Sequence, residues 1–246
     1  MNTEALRTVA ATYGTPTYIF DVREVEARIR LLRSLLPEDT GLCFAVKANP
    51  FLIPYVADLV DRLEVCSPGE YEICIQEQIA PEKIVVSGVN KTYESMKRIL
   101  SYSKGAGIYT IESEEHAKIL RTLAEKNQMP LSVLIRLSSG NQFGVDAETF
   151  FRLAKEIQES PYLTLAGVHY YAGTQKRQSK LEKELDTLTA FAKTFEEETG
   201  TVLNELEYGA GMKVSYFIND SEKDQRESEP EPQIQALAEK LRTCDA

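Results

Sequence analysis

Lys47, within Cys43-Phe44-Ala45-Val46-Lys47-Ala48-Asn49-Pro50, is the residue whose type and setting point most directly to chemistry. The apolar residues before it read as a buried parallel strand, and Asn49-Pro50 ends the run by steering the backbone away from helix. An amine at the end of such a strand is costly to keep charged unless it is paired, neutralised or used covalently. Desolvation lowers an amine's pKa, and a neutral amine attacks aldehydes. The competing expectation is a lysine that lies along apolar surface and places its ammonium in water.

Other polar groups stand at comparable positions. Arg136 ends Val133-Leu134-Ile135-Arg136-Leu137, a strand too apolar to leave a guanidinium unpaired, so it meets either a structural carboxylate or a ligand. Glu64, in Leu63-Glu64-Val65-Cys66, calls for a nearby cation. Gly209-Ala210-Gly211 follows a strand and can present backbone N–H groups to an anion, although such turns also occur without one. Thr174, in Ala172-Gly173-Thr174-Gln175, is either a donor to the same anion or a plain turn residue. His169 lies in an apolar strand, where a core role and a catalytic role are equally open; His116 falls in a charged helix and is expected to face solvent. With two histidines and no matched carboxylate spacing, neither a metal site nor a Ser-His-Asp triad is expected.

The elements that must carry these groups alternate. Strands are expected at 17–20, 42–47, 63–66, 84–87, 108–111, 132–137, 166–171 and 204–208, with helices at 22–36, 93–100, 113–126, 147–157, 180–198 and 232–243. Ser67-Pro68-Gly69-Glu70 and Ser113-Glu114-Glu115 carry helix-start signals. The polar, proline-broken stretch 219–232 reads as a solvated loop. Alternation of this kind means an α/β fold with a mainly parallel sheet, doubly wound or closed into a barrel. In either case the carboxyl ends of the strands build the site, and Lys47, Arg136, Thr174 and the glycine turn all fall there.

Composition narrows the class. A chain of 246 residues with 43% hydrophobic content can bury a large core. A net charge of −10 argues against a nucleic-acid surface. Four cysteines without a Cys-x-x-Cys pair read as free thiols, with Cys43 and Cys66 in buried strands. The N-terminus lacks the order of a signal peptide, and no apolar stretch reaches membrane-spanning length. A cytoplasmic protein with neither nucleic acid nor membrane as partner is the expectation.

Several motifs occur in the order and spacing of one family: Gly14-Thr15-Pro16-Thr17-Tyr18-Ile19-Phe20-Asp21, Phe44-Ala45-Val46-Lys47-Ala48-Asn49, Val65-Cys66-Ser67-Pro68-Gly69-Glu70, Asn141-Gln142-Phe143-Gly144, His169 through Gln175, and Gly209-Ala210-Gly211 with Tyr216-Phe217. Together they resemble the fold-type III pyridoxal-phosphate amino-acid decarboxylases, the group of diaminopimelate and ornithine decarboxylases. The resemblance implies a (β/α)8 TIM-type barrel that binds pyridoxal 5'-phosphate through Lys47 as a Schiff base and decarboxylates an amino acid. It implies a cofactor-binding set of Lys47, Glu64, Arg136, His169, Tyr171, Thr174, Gly209, Ala210 and Gly211, with Lys47 also catalytic and no metal. Glu70 falls at another active-site position of the family. Ala210 replaces a glycine, which is acceptable if its φ is negative, and Tyr171 stands where the family commonly stacks a histidine.

The same resemblance sets residues 1–40 apart as a strand and helix that pack with a second, β-rich domain, and gives residues 41–246 to the barrel. About seven barrel strands are present; the eighth strand and the C-terminal β domain are missing, so the chain is expected to be a fragment with impaired turnover. The family implies a homodimer and an amino-acid substrate, free or tethered to a carrier protein. The alternatives are a fold-type III racemase and a non-catalytic carrier of pyridoxal phosphate.

Overall fold

Apolar runs of three to nine residues, too short for helices and rich in β-branched side chains, form the sheet. The computed structural model describes residues 3–217 and 219–244. Its seven strands are β1 (Cys43–Ala45), β2 (Arg62–Val65), β3 (Ile84–Val86), β4 (Ile108–Ile111), β5 (Leu131–Arg136), β6 (Leu163–Tyr171) and β7 (Glu205–Gly209). Every neighbouring pair is parallel, and the spatial order equals the chain order.

The sheet is curled. Arg62 on β2 forms an ion pair with Glu205 on β7, five places away in the strand order. Across a flat sheet those positions would lie roughly 24 Å apart, at about 4.8 Å per step. Among the described residues no ladder joins β7 to β1, so the architecture is an incomplete TIM-type barrel of seven strands. The seam is covered on the outside by helix Pro230–Cys244, where Lys240 pairs with Asp186 and Arg242 donates to the Leu35 carbonyl at 3.2 Å.

Helices return the chain between strands and bury one face each. Ser67, Thr92, Ser113 and Asp146 cap the helices Pro68–Gln76, Tyr93–Ser103, Glu114–Asn127 and Ala147–Gln158 by accepting from first-turn amides. The main core lies between these helices and the sheet. In it Phe150 is fully buried and meets Phe191 and Phe195 edge to face, at centroid distances of 4.9 and 5.6 Å. A smaller apolar cluster of Val85, Ile108 and Leu134 is separate from it.

Four expectations are corrected. Residues 17–20 form no strand: no neighbour offers them a ladder, and Tyr18 is 94% exposed. The stretch 219–232 is not a plain loop. Ser221 caps a helix over Glu222–Glu227, and Lys213 pins it through Asp224 and Glu227, before a further helix begins at Pro230. His116 is buried, and its Nδ1 accepts from the Glu112 amide at 3.3 Å. Cys43 is exposed because β1 is an edge strand, although all four cysteines are free as expected.

Phe150→Ala removes the ring on which two others rest, and is expected to cost about 3–5 kcal/mol. Urea unfolding measures it; a loss below about 1 kcal/mol would contradict this account of the core.

Candidate active site

The carboxyl ends of the strands form one mouth, and Lys47 stands at its rim. The strand before it ends at Ala45, and Val46–Ala48 make a single 3-10 turn that lifts the lysine off the sheet. Its side chain is exposed, its Nζ lies 5.0 Å from the centroid of the Tyr171 ring, and it makes no hydrogen bond among the described residues. The expected depression of its pKa is not found. Burial pulls the value down, but the charge of Glu64, with Cys66 and Tyr171, outweighs it and the pKa is raised.

Depressed pKa values belong instead to two lysines that sequence reasoning passed over, Lys176 and, more strongly, Lys91. The Lys91 ammonium is buried and donates to the carbonyl of Gly88, to Thr110 Oγ1 at 3.1 Å and to Glu112 Oε1 at 3.4 Å. Burial brings its pKa to about 8 even against Glu112. The other oxygen of Glu112 accepts from Arg136 Nη1 at 2.7 Å, and the Arg136 guanidinium stacks 5.1 Å from the Phe143 centroid. Arg136 thus has a structural carboxylate as a partner, one of the two roles open to it.

Below Lys47 lies a layer assembled from three strands. Glu64 accepts from Ser87 Oγ at 2.5 Å and lies 3.6 Å from His169 Nε2. His169 sits opposite Glu207 in the β6–β7 register. One donor atom from each of the three lies within 4.8 Å of the others, a spacing that would suit a divalent cation. Glu64, however, is already committed to Ser87 and the imidazole. Burial tends to raise its pKa, but His169, Ser87 and Lys47 hold it at about 2. Burial, with Glu64 and Glu205 close by, pushes Glu207 up to about 7. Glu207 was also missed. The alternation Glu205-Leu206-Glu207-Tyr208 does contain its inward phase, and a strand with one polar face would have exposed it. A register shift in β6 leaves Ala166 without a partner on β5, and Arg136 then pairs with His169. That phase change cannot be read from the residues alone.

The glycine turn closes the mouth beside Tyr171, which pairs with Gly209. A Cβ on Gly209 would strike the Tyr171 ring, and Gly211, at φ +60, has the Gly173 carbonyl where a Cβ would be. Ala210 is not among the positive-φ residues, so its methyl group is accommodated as required. The amides of Ala210, Gly211 and Met212 donate to no acceptor among the described residues. Unpartnered N–H groups in a turn are the donors an anion needs. Thr174 is exposed on the facing turn, with its hydroxyl unengaged. Glu70 is tied down locally: its amide donates to Ser67 Oγ and its carboxylate accepts from the Cys66 amide at 2.8 Å. Lys47, Tyr171, Thr174 and the turn therefore share the rim, while Glu64 and His169 lie beneath it.

No helix among the described residues is long and apolar enough to cross a membrane. The family model for the pyridoxal-binding domain of pyridoxal-dependent decarboxylases matches residues 22–244. The diaminopimelate decarboxylase of Actinosynnema pretiosum subsp. auranticum is 32% identical over 235 residues, a match covering 88% of this chain and 52% of that protein. That of Pseudomonas aeruginosa is also 32% identical over 235 residues, covering 86% and 55%. Among solved structures, the AQ1208 protein of Aquifex aeolicus superposes with a TM-score of 0.82 at 25% identity, over 97% of this chain and 57% of that one. The chain thus spans about half the length of the curated relatives it matches. The seven-stranded parallel half-barrel agrees with that superposition, and with the family model matched over 22–244 the chain belongs to the pyridoxal-dependent decarboxylases as their pyridoxal-binding domain.

Proposed function

We propose that this chain is the cofactor-holding part of an amino-acid decarboxylase of the diaminopimelate type, with Lys47 as the amine that captures pyridoxal 5'-phosphate. The observation that carries the reading is the shared rim: among the described residues, an exposed amine without an acceptor, and across the Tyr171 ring a turn with three unpartnered amides. The residues fit the group, since the turn suits a phosphate, the ring a flat heterocycle and the amine an aldehyde. Bound there, the cofactor supplies the electron-accepting ring through which a bond at the substrate's α-carbon is broken.

The chain's own contribution is orientation and charge. Glu64 raises the proton affinity of Lys47, so the amine rests as ammonium at neutral pH and must release a proton before it adds to a carbonyl. Tyr171 offers its face rather than an acid. Arg136, fixed between Glu112 and Phe143, supplies positive charge without a free swing. Glu207 keeps its proton to about pH 7, which limits the negative charge beneath Lys47.

Two measurements test this reading. After incubation with pyridoxal phosphate and borohydride reduction, the label is expected on the peptide containing Lys47 and absent from the Lys47→Ala chain; a label elsewhere overturns the assignment. Carbon dioxide release from a panel of diaminopimelate, lysine, ornithine and carrier-tethered amino acids is expected to be slow or absent for a chain spanning about half the length of its relatives, and racemisation of any of them without carbon dioxide release would overturn the decarboxylase reading.

The titration of Glu207 gives a further expectation. Its native pKa lies above its ordinary value of 4.5, so the native state holds a proton that the unfolded chain releases. Stability therefore falls as pH rises from about 4.5 to about 7. Glu64 acts in the opposite sense and only below its ordinary value of 4.5, its contribution being lost as pH falls toward about 2. Glu207→Gln is expected to flatten the first slope in urea titrations across that window; an unchanged slope would show that Glu207 is not its source.

A further inference from the structure

Lys176 has no role in the reading above, yet it is among the most completely enclosed charges in the chain, at 2% exposure. It lies directly behind the glycine turn. Its amide donates to the Gly211 carbonyl at 2.9 Å, and its Nζ donates to Glu184 Oε2 at 2.7 Å and to the Gly209 carbonyl at 3.1 Å. Tyr208 Oη donates to the same Glu184 oxygen at 2.8 Å. Next to it, Gln175, at φ +56, accepts from the Val214 amide and donates to the Val214 carbonyl. The segments 173–176 and 211–214 are therefore fastened together, and Lys176 is the buried charge in that seam, whereas Lys213 turns its ammonium away to Asp224 and Glu227.

A lysine so deep cannot touch a ligand in the mouth, so its effect must pass through the backbone. In a planar trans peptide the carbonyl and the following N–H point in opposite directions. An ammonium that draws the Gly209 carbonyl inward turns the Ala210 N–H outward, and the bond to the Gly211 carbonyl does the same for Met212. A charged donor also polarises each peptide it engages, which strengthens the N–H on the far side. We propose that Lys176, anchored by Glu184, is a positioning residue that aims and strengthens the amides of the 209–212 turn toward the phosphate of the cofactor. This rests on the reading of that turn as the phosphate cradle. Burial lowers the Lys176 pKa and Glu184 opposes the shift, as a charge retained by its partner requires.

The test compares pyridoxal phosphate with pyridoxal, which lacks the phosphate but carries the same aldehyde for Lys47. Dissociation constants are measured by absorbance titration for the full chain, for Lys176→Met and for the double variant Lys176→Met/Glu184→Gln. The double variant leaves no uncompensated carboxylate in the core and so guards against misfolding. The parent is expected to prefer the phosphorylated form. Both variants are expected to lose about tenfold of that preference while binding pyridoxal within about twofold of the parent. A folding defect would weaken both ligands alike, so the ratio isolates the turn. An unchanged ratio in the folded double variant overturns the role of Lys176 and leaves the cradle standing. A parent chain with no preference overturns the cradle itself, and the role of Lys176 with it.

Discussion

The contact between Glu64 and His169, made across the interior of a curled sheet, is the constraint from which the rest of the site follows. The two residues belong to strands four places apart, so their meeting requires the curvature that also brings Lys47 over Tyr171. Enclosing two carboxylates and an imidazole is unfavourable unless they satisfy one another. Here satisfaction is incomplete. Ser87 and the imidazole serve Glu64, whereas His169 Nδ1 and Glu207 Oε2 are enclosed without partners among the described residues. The layer thus places a strong negative charge under the amine and, beside it, a carboxyl that resists ionisation.

Above that layer the rim is built from fixed parts. The charges of Lys91, Glu112 and Arg136 close on one another, and the 209–212 turn is braced from behind. Among the described residues, the groups left unengaged there include the Lys47 amine, the hydroxyls of Thr174 and Tyr171, and the amides of the turn. A site whose donors are held in place before a ligand arrives loses little ordering entropy on binding. The main chain supplies the anion donors and a side chain supplies the nucleophile, which divides the work between parts that cannot easily drift together.

Much of this was legible in the residues. Apolar runs and amphipathic helical patterns placed all seven barrel strands and the main helices to within a few residues, because parallel strands buried on both faces leave continuous apolar stretches. The motif around Lys47, the Gly209-Ala210-Gly211 turn and Thr174 were found because each punctuates the end of such a run. What escaped depends on contact between distant segments. Lys91 and Lys176 lie in loops, where a lysine is ordinarily solvated, and only the fold encloses them. His116 looked solvent-facing because its helix is charged, but its position puts it against the Glu112 backbone. The segment 17–20 has strand-like residues, yet a strand exists only where a neighbour completes its ladder. For Lys47, local apolarity suggested a weakened base, and Glu64, brought close by the curl, reverses the sign.

The contrast between two of these lysines has a practical consequence. Lys91 is the weaker base, but all three of its N–H vectors are occupied and its side chain is 1% exposed; Lys47 holds its proton more firmly and stands in the open. Acylating agents and aldehydes will therefore be sorted by reach rather than by basicity. Alkaline conditions will accelerate modification at the rim long before they unmask the enclosed amine.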